Sequence, residues 1–132
     1  MKNKRKHRVL AKRILGYIQA FPDRHDQDSY VGNEDEVLDT GNICNTTMCV
    51  AGTAVYLDGG TPALRRLIRH DEDGDLFFDS GRKLLGLTHE EARDLFHCYN
   101  NKAALKMLKA VAKGDEEQFE AEHNKYWLGS YN

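Results

Sequence analysis

Residues 43–57, ICNTTMCVAGTAVYL, hold two of the three cysteines in a segment without a single charge, although 30% of the chain is charged. Asn45 and Thr46 are residue types that cap helix N-termini, and Gly59 and Gly60 supply a stop, so the stretch predicts a helix running to about Leu57. Cys49, Val50, Ala51, Gly52, Ala54, Val55 and Leu57 place small or apolar groups on every side of that helix. Such a helix lies in the middle of a core. Glycine inside a helix costs about 1 kcal/mol relative to alanine, so Gly52 calls for a close neighbour whose packing offsets the loss.

Upstream, Leu10, Ile14, Tyr17, Ile18 and Phe21 form one stripe of a helix that Pro22 ends. Residues 23–43 are polar, contain two glycines and show only brief apolar pairs, so they are expected to form a long connection. Downstream, Thr61 and Pro62 open a short helix with Leu64, Leu67 and Ile68 buried. The stretch DEDGDLFFDS at 71–80 predicts a turn at Gly74 followed by an extended Leu76–Phe78, and its acids do not have the spacing of a calcium loop. Asp79 or Ser80 starts a helix that Gly86 ends, and Thr88 with Glu91 is a capping box for a helix with Ala92, Leu95, Phe96 and Tyr99 inward. Asn101 begins a helix closed by Gly114, and Asp115 with Gln118 begins the last, carrying Phe119, His123, Tyr126 and Trp127. The fold expected is mainly α: a single compact domain of six or seven short helices around a central small-residue helix, with at most one short strand or hairpin.

The 132 residues suffice for one domain with a real core, 9–132, and not for two. No run of about 18 apolar residues is present and no cleavage site follows the basic start, so the expected location is the cytoplasm, with no membrane association. In that reducing compartment Cys44, Cys49 and Cys98 stay thiols, and no cofactor is expected. The net charge of −2 hides an asymmetry: residues 1–22 carry seven bases and no acid, the remainder 12 bases and 21 acids. Residues 1–8 are expected to be a frayed basic arm. Lys2, Lys4, Arg5, Lys6, Arg8, Lys12 and Arg13 are candidates for contact with a polyanion, although they are not interleaved with aromatics and the chain as a whole is acidic.

Three readings of the cysteines compete. As filler, Cys49 is a small buried hydrophobe, and free cysteine is among the most often buried residues. As a nucleophile, Cys44 just before a helix N-terminus would have its thiolate favoured, but no local sequence ties a histidine to it. As metal ligands, Cys44 and Cys49 would need His97 and Cys98 to complete the set, yet a separation of five turns two side chains about 140° apart on a helix. The base rates favour filler. At the C-terminus, Tyr126, Trp127 and Tyr131 either close over the core or present an aromatic protein-binding surface.

The segment CNTTMCVAGTA resembles a CGTxxCxAGxA motif of small, largely uncharacterised proteins of bacteria and their phages. Cys44, Thr46, Cys49, Ala51, Gly52 and Ala54 match it, Asn45 stands where the pattern has glycine and Thr53 where it often has tryptophan. The flanking ILGYIQAFPDRHDQ and LLGLTHEEARDLF are similar to segments that accompany the motif, the second as an LLGL…LF helix pair. The resemblance implies a phage or bacterial setting and no named chemistry. With no catalytic constellation in the sequence, the expectation is a non-enzymatic interaction module with a protein partner, one that modulates a host or defence protein. The alternatives are a small metal- or thiol-dependent enzyme centred on Cys44 and Cys49, and a nucleic-acid-associated protein using the basic arm.

Overall fold

A computed structural model describes residues 1–44 and 46–129, and its fold is mainly α. Seven helices stand among the described residues: α1 Arg5–Ala20, α2 Glu34–Thr40, α3 Val50–His70, α4 Asp75–Leu85, α5 His89–Phe96, α6 Asn101–Lys113 and α7 Glu116–Trp127, with a 3-10 turn at Pro22–Arg24. α3 is the centre. It packs against α1, α2, α4 and α5, while α1 also packs on α6, and α6 on α7. Every residue from Val50 to Val55 is buried, as the charge-free stretch requires.

α3 is two helical pieces joined at Gly60, whose φ of 69° and ψ of −166° break the helical path. Only glycine enters that region without strain, and Pro62 follows in the first turn of the second piece. The break divides the core. One cluster surrounds α1, the first half of α3 and α4 to α7, and includes Ile14, Val50, Leu95 and Phe119. The other, with Val37, Met48, Val55, Leu64 and Phe77, joins α2, both pieces of α3 and the start of α4.

Several expectations need correction. Leu76–Phe78 is not extended: Gly74, at φ 83°, opens α4, whose buried Phe77, Phe78, Gly81 and Leu85 follow helical spacing. The Asp71 carboxylate accepts the Phe77 amide at 2.8 Å. Extended pairing among the described residues is one parallel bridge, His25 to Met48. The connection at 23–43 contains a helix, α2. Residues 1–8 are placed against the body rather than as a free arm: α1 already runs from Arg5, the buried Asn3 amide donates to Val111 O at 2.8 Å, and the N-terminal ammonium meets Glu116 at 2.7 Å. Tyr99 lies beyond the end of α5 and is 62% exposed rather than inward.

Candidate functional site

The helix in the charge-free stretch starts three or four residues later than its local cap signals, Thr46 and Asn45, suggest. Thr46 is not a cap; it is buried, and its hydroxyl has no partner among the described residues. Cys49 is the N-cap, with no side-chain cap bond of its own. The expected capping role of Asn45 lies outside the described residues. In place of a local cap, the chain from Arg24 to Gly32 lies alongside residues 47–49 and bonds to them through Met48 N to Arg24 O (2.8 Å), Asp26 N to Met48 O (3.1 Å), Cys49 N to Ser29 O (2.9 Å) and Gly32 N to Thr47 O (2.7 Å). Gly52 faces this strip, and a Cβ there would sit inside the Tyr30 carbonyl oxygen. The glycine that the sequence marked for close approach therefore has its neighbour, a backbone carbonyl.

Gln27 organises the junction. Its Oε1 accepts the Val50 amide at 2.8 Å, supplying the missing cap of α3, and its Nε2 donates to the carbonyls of Leu95 and Cys98 at 3.1 Å each. Those partners fix which end of the amide is oxygen. His25 Nε2, 3.0 Å from the same Oε1, must then be the donor, so the ring carries its proton there. Asn101 completes the set by accepting the Gln27 amide at 2.9 Å and donating to His25 O at 3.0 Å. Residues 25–27, 48–50 and 95–101 meet at this junction.

The thiols differ in setting. Burial pushes the Cys49 thiol up to about 11, against the opposing pull of nearby backbone amides, so it is a neutral thiol near neutrality. Burial also raises Cys98, whose Sγ donates to Asn100 O at 3.7 Å. Cys44 is exposed in a turn, with its amide on Asn42 Oδ1 at 2.9 Å, six positions before α3 begins and away from that helix end. The four candidate metal ligands separate: Cys49 and His97 line one cavity of about 200 Å³, Cys98 is in the core, and Cys44 lines another cavity with Phe21, Arg24 and Thr46. No cluster of three or more His, Cys, Asp or Glu is placed to hold a metal among the described residues.

The cavity holding Cys49 and His97 continues into a neighbour of about 250 Å³ through the shared Tyr30, Asp73 and His97. His89, Arg93 and His97, each four apart, form one stripe of α5 along it, and the Phe78 ring lies 5.0 Å from His89 and 5.8 Å from His97. The i, i+4, i+8 spacing was visible in the sequence and was not singled out. The nucleophilic groups beside these two imidazoles are held neutral. Burial raises the Tyr30 phenol to about 12, as it raises Cys49.

Two further surfaces draw on named residues. At the C-terminal end of α7, Trp127 is 73% and Leu128 82% exposed, while Tyr99 abuts the same end through its amide, which donates to Tyr126 Oη at 3.4 Å. Trp127 does not close over the core. Its indole N–H donates to His123 Nε2 at 2.7 Å, and Asp94 stands 3.5 Å from the same nitrogen. Tyr131, the third aromatic of this group, lies outside the described residues. The basic residues of the N-terminus are divided by α1: Lys2, Lys4, Arg5 and Lys12 are exposed, Arg8 is turned onto Asn3 O at 2.7 Å, and Lys6 and Arg13 line a cavity against α4.

No family model, curated protein or solved structure matches this chain.

Proposed function

We propose that the protein is a non-enzymatic interaction module that binds a partner protein through the end of α7 formed by Tyr99, Trp127 and Leu128. The observation that carries this reading is the exposure of Trp127 and Leu128 at the end of α7, beside the exposed Tyr99, whose backbone amide bonds to Tyr126 Oη. Tryptophan and tyrosine bury much apolar area for few rotatable bonds, which is why they anchor protein interfaces. The His123 bond holds the indole in place before any partner arrives, so little side-chain entropy is lost on binding. The interior thiols of Cys49 and Cys98, raised by burial, favour a packing role for these two residues over a nucleophilic one. A cytoplasmic bacterial or phage setting, with a host or defence protein as partner, rests on the motif at 44–54.

A photo-crosslinking residue placed at position 127 tests the reading. A discrete adduct with one protein is expected from the intact cell, lost on Leu128→Asp and absent when the crosslinker replaces the exposed Lys106 on α6. Equal or no adducts at the two positions, in a folded protein, would refute it.

A further inference from the structure

The groove where α1, α3 and α4 meet carries a charge imbalance that the fold leaves unanswered. A cavity of about 300 Å³ is lined by Lys6, His7 and Arg13 of α1 and Lys83 of α4, with Asp58 of α3 as its single acid. Lys6 and Arg13 are seven apart, two helical turns, and so share one face of α1. A second cavity of about 240 Å³ shares Asp58, Lys83 and Leu84 and adds Arg66 from the far half of α3. Five basic groups from three helices thus border one groove. None of them meets a carboxylate within ion-pair distance among the described residues, and Arg13 makes one long bond to Leu57 O at 3.4 Å. His7 Nδ1 accepts the Lys4 amide at 2.8 Å, which leaves Nε2 as the remaining ring donor. Burial, then the charges of Lys6, Lys4 and Arg8, hold His7 in its neutral form more than an ordinary imidazole.

Between the cations the floor is apolar: Val9, Leu10 and Leu84 in the first cavity, Val55, Ala63 and Leu67 in the second. We propose that this groove binds a small phosphate ester of mononucleotide size, with the phosphate held by Lys6, Arg13 and Lys83 and the apolar body laid along the floor toward Arg66. Guanidinium and ammonium groups that α1 and α4 bring to one groove suit a phosphate better than a carboxylate, because a phosphate presents three oxygens in different directions. Asp58, which borders both cavities, is an acceptor for a hydroxyl of the ligand and opposes a second anionic group beside it, which favours a monophosphate carrying a sugar. The joined cavities have the size of a small-ligand site. The site is independent of the aromatic end of α7.

Adenosine monophosphate is the probe, titrated by calorimetry and by amide NMR. Saturable binding is expected, with shifts centred on Lys6, Arg13, Asp58 and Lys83, and with affinity about tenfold lower or worse in Lys83→Glu and in Arg13→Glu but unchanged in Lys109→Glu on the exposed face of α6. Inorganic phosphate should bind more weakly than the nucleotide, since it leaves the floor uncovered. Absence of saturable binding, equal affinity for phosphate and nucleotide, or an unchanged Lys83→Glu variant would overturn the proposal. Binding seen only with anionic lipid vesicles or an oligonucleotide, without competition by the nucleotide, would overturn it as well.

Discussion

The junction at Gln27 and the groove at Lys83 are both places where several helices meet, and they treat polar groups in opposite ways. Gln27 is buried with both ends of its amide engaged, and His25 and Asn101 close the remaining bonds around it. In the groove, Lys6, His7, Arg13 and Lys83 border an apolar floor with a single acid among them. Buried polar groups left unpaired are costly, so an interior site must satisfy itself, whereas an exposed site can leave its bonds to a ligand. The difference separates residues kept for folding from residues available for binding.

The sharpest way to break the comparison is at Gly52. Leucine there should unfold the protein or cost more than about 4 kcal/mol, because the Tyr30 carbonyl occupies the space of the first added carbon and the strip it belongs to is bonded to residues 47–49. Lys83→Ala, by contrast, should stay within about 0.5 kcal/mol of the natural chain, as for an exposed side chain without a partner. Urea unfolding followed by circular dichroism reads both. A well-folded Gly52→Leu variant would mean that the strip can move away, and the junction would then not be the rigid half of the comparison.

Next in size is Gln27→Leu, expected to cost about 3 kcal/mol. It keeps the volume and the burial but strands the Val50 amide, the carbonyls of Leu95 and Cys98, and the His25 ring. Amide hydrogen exchange should speed up first at the start of α3 and the end of α5, the two elements that this one side chain joins. Uniform loss of protection would show instead that Gln27 supports the fold as a whole.

The same contrast explains what could be read from the sequence. Local signals were legible: Thr88 and Glu91 form their reciprocal bonds at 2.9 and 3.1 Å, and Asp115 accepts the Gln118 amide at 3.0 Å. The small-residue character of 49–55 correctly marked the central helix and Gly52 as its close-contact point. What escaped depends on distant partners. The start of α3 is capped by Gln27, 23 residues upstream, and no spacing rule connects the two. α2 is one short run of seven residues with Val37 alone buried, too brief for periodicity, although Asn33 and Glu36 bond at 2.7 Å and Gly41 ends it as a left-handed cap. Leu76–Phe78 looked like a strand because three adjacent apolar residues fit either period, and Gly74 opening α4 decides between them. The groove cations come from α1, α3 and α4, so Lys6 and Arg13 were visible as charge and Lys83 and Arg66 were not associated with them.

The smallest effect is also the most specific to the junction, since it turns on one proton. His25 is buried, and burial lowers its pKa from 6.5, with the Gln27 bond and Asp26 acting in the opposite sense. The neutral ring already satisfies Gln27 through Nε2, so a second proton adds a buried charge and no required bond. In the unfolded chain the imidazole takes up its proton near 6.5, and in the fold it does so at lower pH. Between those two points the unfolded state binds more protons. The stability associated with the neutral ring is therefore complete above 6.5 and is lost as the pH falls toward the folded value. Asp94, raised mainly by burial, shifts stability in the other direction, so the measurement should be a double difference. Urea midpoints of the natural chain and of His25→Gln are compared at pH 7.5 and 5.5. The glutamine variant can still donate to Gln27 but cannot titrate, and it should lose less stability on acidification than the natural chain. Parallel losses would mean that the junction opens enough for water to reach the ring, and the interior site would then differ from the groove in degree rather than in kind.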